Sequence, residues 1–390
     1  MTATSMKMIV PITVSDSNLT STTLAEDDYA VWSASTVYAT GTRVILVSTH
    51  KVYESLKGSS STVTISVASP GVVTWTAHGL ATNTPISFVT TGTLPTGIVS
   101  GTVYYVHTIL DANTFTLSTT AGGADINTTG VSTPTHTATA SVNYALSPDV
   151  NTSATVASPA WLEVSPTNPW KAFDAQVGTQ TTSATGIMTY VFSPGRINSI
   201  GFMNMSGITD ITVRMTSSGT EIYNQSYSML SGGIGDWYDY FFTEPVYNSD
   251  YVLTDLPMYA NCELTITLEG ASTIAIGVIA IGTFKSLGIA SAGAKPSIKT
   301  YSRKETDDFG NITIVSRSYS KRLDVETLIE ISGFDSIYNM LALYRDTPVV
   351  WIGAGNFSTT LILYGFYRDF SMNIAVANIG YCTLSIEGLI

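Results

Sequence analysis

The sequence predicts a mainly β protein: several small β-sandwich or barrel domains, a jelly roll among them, then a C-terminal α+β domain with one clear helix. Three observations carry this. Ser, Thr, Val, Ile, Tyr and Gly dominate while charged residues make up only 12% of the chain, the composition of sheet surfaces and turns rather than of helices. Short alternating runs recur along most of the chain with Gly, Pro, Asn or Asp between them, which is the pattern of strands and tight turns. Only the segment after Ser332 has apolar residues at helical spacing. A length of 390 residues is long for one core, so two to about four domains are expected.

Charge and cysteine content narrow the function classes. The formal net charge of −12 argues against a binder of phosphate backbones, so no specific nucleic-acid partner is expected. Cys262 and Cys382 are the only cysteines, each in an alternating run; two in so long a chain make no disulfide framework, and buried free thiols are expected. The N-terminus lacks the basic start and long apolar core of a secretory signal. The most apolar run, Ile274 to Ile281, is broken by Gly277 and falls far short of the ~20 residues needed to span a bilayer. The expectation is a soluble protein made in the cytoplasm, with no membrane partner.

Residues 1–28, a short alternating segment from Met8 to Val14 and then a polar stretch ending Glu26-Asp27-Asp28, read as an N-terminal arm that docks on a neighbour or on the rest of the chain, or equally as a frayed end. Residues 29–58 open a small aromatic module with Trp32, Tyr38, Gly41 and Val44, followed by Tyr53-Glu54-Ser55. Its second half returns at 141–174 with Trp161, Pro166, Pro169, Trp170, Phe173 and Asp174. In so small a module Trp32, Tyr38, Tyr53, Trp161 and Trp170 either pack a core or form a sugar-stacking platform, and the shortage of aliphatic burial favours a core. Between the halves, residues 59–140 carry strand-like runs at Val63–Val67, Val72–Trp75, Ile86–Val89, Val103–Val106 and Phe115–Leu117, with turn signals at Pro70-Gly71, His78-Gly79 and Leu94 to Gly97. They read as an inserted small sandwich or barrel.

Residues 175–285 give eight further short runs: Met188–Phe192, Ile197–Phe202, Ile211–Met215, Glu221–Tyr223, Trp237–Phe242, Asp250–Leu253, Cys262–Leu268 and Ile274–Phe284. None is long enough for a helix, and eight such strands suit a jelly roll. In residues 286–390, Ile298–Lys304 and Ile312–Arg322 flank the turn Asp307 to Asn311, a long hairpin signal. The helix follows: Ser332-Gly-Phe-Asp335 fits a capping box, Phe334, Ile337, Tyr338, Leu341 and Tyr344 share a face, and Pro348 ends it. Strands are expected at Val349–Ile352, Leu361–Phe366, Ile374–Val376 and Cys382–Ile386.

Basic charge concentrates in that hairpin. Between Lys285 and Arg322 stand eight basic residues (285, 295, 299, 303, 304, 317, 321, 322) and three acids (305, 307, 308), which leaves the rest of the chain strongly acidic. By the two-residue period Val315, Arg317, Tyr319 and Lys321 share a face. Arg303, Lys304, Arg317, Tyr319, Lys321 and Arg322 therefore form either a solvated face or a contact surface for an acidic neighbouring subunit.

No catalytic constellation is legible. All four histidines (His50, His78, His107, His136) lie in the first 140 residues, without metal-ligand spacing. No Cys-x-x-Cys, Gly-x-Ser-x-Gly, phosphate loop or dinucleotide fingerprint is present. Asp236 and Asp239, three apart on an expected strand, would face opposite sides and make a poor acid–base pair. Asp307-Asp-Phe-Gly-Asn lacks the ligand count of a Ca²⁺ loop. The expectation is a protein that is not an enzyme and holds no cofactor and no metal.

The module pattern Trp-x5-Tyr-x2-Gly-x2-Val with Tyr53-Glu54-Ser55 resembles the small chitin-binding modules of chitinases and their relatives in phage tail proteins. The phrases Ala77-His-Gly-Leu80, Thr91 to Gly97, Tyr104-Tyr-Val and Asn113 to Ser118 resemble a repeat module of phage tails and fibres. The junction Ser165-Pro-Thr-Asn-Pro-Trp170 to Asp174 resembles the one that phage tail proteins carry at this place, and the order of strands after it resembles the galactose-binding-like domains of phage tails. Together with the C-terminal Ser-Ile-Glu-Gly-Leu-Ile, the resemblance is to tailed-bacteriophage structural proteins. It implies a virion protein of the tail, synthesised in the host cytoplasm, that forms or decorates a ring at the tail tip, baseplate or collar. Its implied partners are copies of itself and other phage tail proteins. The alternative it leaves is a receptor-binding protein that adheres to host surface glycan.

Overall fold

Alternation of apolar and polar residues throughout the chain dictates strands, and strands are what form. A computed structural model describes all residues except 1–4, 35, 37, 57, 142–146, 156–158, 232–236, 243, 245, 291–293, 307–308, 310–311, 354–358, 377–378 and 390. The protein is mainly β and divides into two compact units, residues 26–167 and residues 1–25 with 168–390.

The chain starts in the larger unit with β1 (Ser5–Pro11) and β2 (Leu19–Thr22), then enters the smaller one. There β3 (Arg43–Leu46) and β4 (Lys51–Ser55) pair, and β11 (Trp161–Pro166) adds to β4, so the two halves of the split module rejoin in one three-stranded sheet. Between β4 and β11 run β5 (Gly58–Ile65), β6 (Val72–Thr74), β7 (Pro85–Val89), β8 (Val103–Ile109), β9 (Thr114–Ser118) and β10 (His136–Ser141). They close into a six-stranded antiparallel barrel in the order β10-β5-β6-β9-β8-β7. Its interior is filled by one cluster that includes Val63, Trp75, Phe88, Val106, Phe115 and Leu117. Closure leaves no unpaired edge.

The larger unit continues with β12 (Thr181–Ser183), β13 (Ile187–Phe192), β14 (Ser199–Met203), β15 (Asp210–Ser217), β16 (Thr220–Ser228), β17 (Leu230–Ser231), α1 (Trp237–Phe242), β18 (Val246–Tyr247), β19 (Tyr251–Leu253), β20 (Cys262–Glu269), β21 (Ile274–Ile276) and β22 (Val278–Ala290). After these come β23 (Lys295–Thr300), β24 (Arg303–Thr306), β25 (Ile312–Val315), β26 (Tyr319–Glu330), α2 (Phe334–Leu343), β27 (Val349–Ile352), β28 (Ile362–Val376) and β29 (Ile379–Gly388). A five-stranded sheet, β16-β15-β20-β13-β2, shares a core with residues of β14, β19 and β22. Those three strands belong to a nine-stranded sheet ordered β19-β14-β22-β1-β27-β28-β29-β26-β23.

That sheet also curls back on itself. The end of β22 pairs with the end of β26 through Ile289↔Leu328 and Ala290↔Thr327, so β22, β1, β27, β28, β29 and β26 make a second ring of strands. Met6, Met8, Leu287, Leu323, Trp351 and Leu384 pack in one cluster with Ile337 and Leu341 of α2. Gly288 makes the turn into the seam: its φ is +96°, and a Cβ there would overlap the Leu328 carbonyl oxygen. Only glycine takes that backbone without strain.

The N-terminal segment packs on the rest of the chain, and not as a frayed end: β1 lies between β22 and β27 with Met6, Met8 and Ile9 fully buried, and β2 pairs with β13. Four other expectations change. The boundary placed at 285 falls inside β22, which serves both the sandwich and the second ring. Trp237–Phe242 is a helix and not a strand, with its aromatics meeting at i and i+4, Trp237 on Phe241 and Tyr238 on Phe242. The capping box does not form, because Gly333 is the N-cap of α2 and no side chain caps it; Ser332 instead belongs to a 3₁₀ turn. The long hairpin is broken in two, since the register Thr300↔Tyr319 becomes Arg303↔Val315. One extra residue on the second strand is a bulge that cancels the shared face expected from Val315 to Lys321.

Candidate interaction surfaces

The aromatic module was the first candidate site, and packing decides its character. Tyr38 and Trp161 meet edge to face at 5.3 Å, and Tyr53, Val44, Leu46 and Ala160 complete a small core against which Trp32 packs. The Tyr38 hydroxyl accepts the Ser33 backbone N–H at 2.7 Å, and burial pushes the Tyr53 phenol up from its ordinary range. The indole N–H groups of Trp32 and Trp161 are buried without a hydrogen-bond partner. Tyr38, Tyr53 and Trp161 are at most 6% exposed, so none offers a face for a sugar to stack on. Trp170 belongs to the larger unit, half-buried, edge to face with Phe173 at 6.3 Å.

The basic hairpin was the second candidate, and its charges divide into two groups. Lys321 pairs with the largely buried Asp250, which also accepts the Asn204 backbone N–H at 3.0 Å. Arg322 and Lys299 converge on Glu387 at 3.0 and 3.4 Å. Hydrogen bonding from Arg322 holds the Glu387 carboxyl below its ordinary range, and Lys299 adds to this. These cations tie β23 and β26 to the body of the unit. Beyond Tyr301 and Ser318 the situation differs. Among the described residues β24 and β25 pair only with each other, making a two-stranded arm, which is joined to β23 and β26 through Ser302, whose hydroxyl accepts the Arg317 N–H at 2.9 Å. On the arm Arg303 pairs with Glu305, while Lys304 and Arg317 have no ion-pair partner among the described residues. Ile312 and Ile314 stand 55% and 72% exposed, and Tyr319 at its base is exposed too.

Three surfaces were missed by the sequence reading. At the seam, Ile289, Leu328, Ile329, Glu330, Ile331, Ser332 and Ile379 line an open, mainly apolar groove of about 580 Å³. A second cavity of about 380 Å³ includes Asn204, Ser249, Asp250, Tyr319, Lys321 and Tyr364 in its lining; burial pushes the Tyr364 phenol up to about 12. The third surface is α1, where Trp237, Tyr238, Phe241 and Phe242 are all strongly exposed. The aromatic run itself was a visible signal, but it was read as a strand.

The titratable groups are held by the fold. His78 lies edge to face on Phe115 at 5.0 Å and receives the Leu80 N–H at 3.0 Å. His107 pairs with Asp125 at 2.8 Å; His136, between Ser132 and Thr90, is pushed down by burial. Cys262 and Cys382 are buried free thiols, and burial raises Cys382 to about 11. Among the described residues no group of three or more His, Cys, Asp or Glu is placed to hold a metal ion, and no helix is long and apolar enough to cross a membrane. Asp236 and the Asp239 side chain, as well as most of the turn 307–311, lie outside the described residues. No protein-family model matches the sequence, and no curated protein matches it either.

Proposed function

We propose that the chain is a non-enzymatic structural protein of a tailed-phage virion, forming or decorating a ring at the tail tip, baseplate or collar and anchoring other tail parts. The observation that carries this reading is the exposed β24–β25 arm, which joins apolar side chains to Lys304 and Arg317, neither with an ion-pair partner among the described residues, on an acidic chain. A two-stranded ribbon gains little stability in water alone, and exposed apolar edges favour pairing with another chain. The motif resemblance supplies the setting, a phage tail assembled in the host cytoplasm. A reconstruction of the intact particle tests it: copies of this chain around the tail axis are expected, and its absence from the particle would overturn the reading.

Adhesion to host glycan is the second reading, and one observation moves it to a new place. The buried aromatics of the split module give it no support, whereas the 380 Å³ cavity combines an exposed tyrosine, Tyr319, with Asp250, Lys321 and Asn204. Aromatic faces beside a few fixed polar groups are the usual makings of a small-ligand site. A glycan array on the full chain and on Tyr319→Ala tests this; hits lost in the variant support it, and an empty array removes it.

A further inference from the structure

Strand β26 places two unlike surfaces at its opposite ends. Past its first residue, Tyr319, the β24–β25 arm carries Lys304 directly opposite Ile314, so these two share a face with Ile312 two residues away. At its last residues, Leu328 to Glu330, lies the seam groove with the exposed Ile289 and Ile379 on its walls. The Glu330 carboxylate has no hydrogen-bond or ion-pair partner among the described residues. The exposed Glu326 and Asp335 stand near the same end. The arm as a whole holds as many acids (305, 307, 308) as bases (303, 304, 317), so the contrast is local: Lys304 beside Ile314 at one end, Glu330 beside the seam isoleucines at the other.

We propose that the arm of one copy seats in the seam groove of a second copy, with Ile312 and Ile314 covering Ile289, Leu328 and Ile379 and with Lys304 meeting Glu330. Opposite charge flanking a shared apolar contact fixes partner and register. One chain cannot satisfy both halves of the contact itself, because an extended strand of 12 residues holds its two ends roughly 36 Å apart. The contact is therefore heterologous, and its repetition closes a ring or extends a filament. This deepens the structural reading above and rests on it for its place in the virion, but the contact itself is testable on the isolated chain.

The experiment is sedimentation velocity of the full chain over a range of concentrations, with circular dichroism to show that each variant is folded. Wild type is expected to associate with rising concentration. Ile314→Asp disables the arm and Glu330→Lys the groove; each should weaken association roughly tenfold or more. Mixed in equal amounts, the two variants retain one intact arm and one intact groove, and they should form a dimer that grows no further. The double variant Lys304→Glu, Glu330→Lys should recover association. A monomeric wild type, single variants that associate like wild type, or a mixture that stays monomeric would each overturn the proposal. A chain that associates this way yet is missing from the particle would leave the contact standing and remove the virion reading. A chain found in the particle but indifferent to these substitutions would do the opposite.

Discussion

Two rings of six antiparallel strands occur in this chain, one in each unit, and they are finished differently. The barrel of β5 to β10 closes edge to edge, with β10 pairing along four residues of β7 and six of β5. Among the described residues the second ring closes through two residue pairs between β22 and β26. Its strands overrun the closure: β26 feeds an arm at one end and the wall of a groove at the other. Full closure buries the pairing potential of every edge and leaves a module that is complete alone. Partial closure leaves apolar surface at both ends, and surface of that kind marks contact sites. The proposed assembly contact accordingly lies on the larger unit, and the closed barrel contributes nothing to it.

The strongest way to break the comparison is to hollow out each ring in turn. Trp351, 1% exposed and donating its indole N–H to the Gly365 carbonyl at 2.9 Å, lies in the second ring, and Phe115, fully buried, lies in the barrel. Each alanine substitution should cost about 3–5 kcal/mol. Differential scanning calorimetry paired with sedimentation should show Trp351→Ala losing self-association with its ring, and Phe115→Ala losing only the barrel transition. A smaller effect is expected at the seam. Gly288→Ala places a side chain at φ +96° against the Leu328 carbonyl, which should cost about 1–3 kcal/mol and weaken association by distorting the groove; an unchanged melting curve would contradict the account.

Smaller still is the Glu387 anchor. Because Arg322 and Lys299 depress its pKa below the ordinary 4.5, its contribution is fully present above that pH and is lost as the pH falls through the depressed value. The carboxylate is partly solvated, so less than about 1 kcal/mol is at stake. Melting temperatures of wild type and Glu387→Gln should differ near neutral pH and converge well below pH 4.5. A difference that persists in acid would point to packing and not charge.

How much of this was legible depended on whether the signal was local. Alternation marked the barrel strands from Val63 to Leu117, and the spacing of Ile337 and Leu341 marked α2, because both patterns are written within one element. The joining of Trp161 to Tyr38 across more than a hundred residues was legible only through the motif the two halves complete. Where β1 docks was not legible, because nothing within its seven residues says that β22 and β27 will flank it. The seam, the groove beside it and the bulge at the foot of the arm likewise arise from pairings between distant segments. Basic residues 285–322 were seen as one group; the fold divides them into anchors such as Lys321 and Arg322 and displayed groups such as Lys304.

The central claim is that assembly lives on the arm and not on the barrel, and paired surface substitutions compare the two directly. Ile314 on the arm and Val131 in the smaller unit are similarly exposed, at 72% and 74%, so an aspartate at either should leave the fold intact. In sedimentation velocity at matched concentrations, Ile314→Asp is expected to shift the chain toward monomer while Val131→Asp sediments like wild type. Loss of association in Val131→Asp with none in Ile314→Asp would contradict the account.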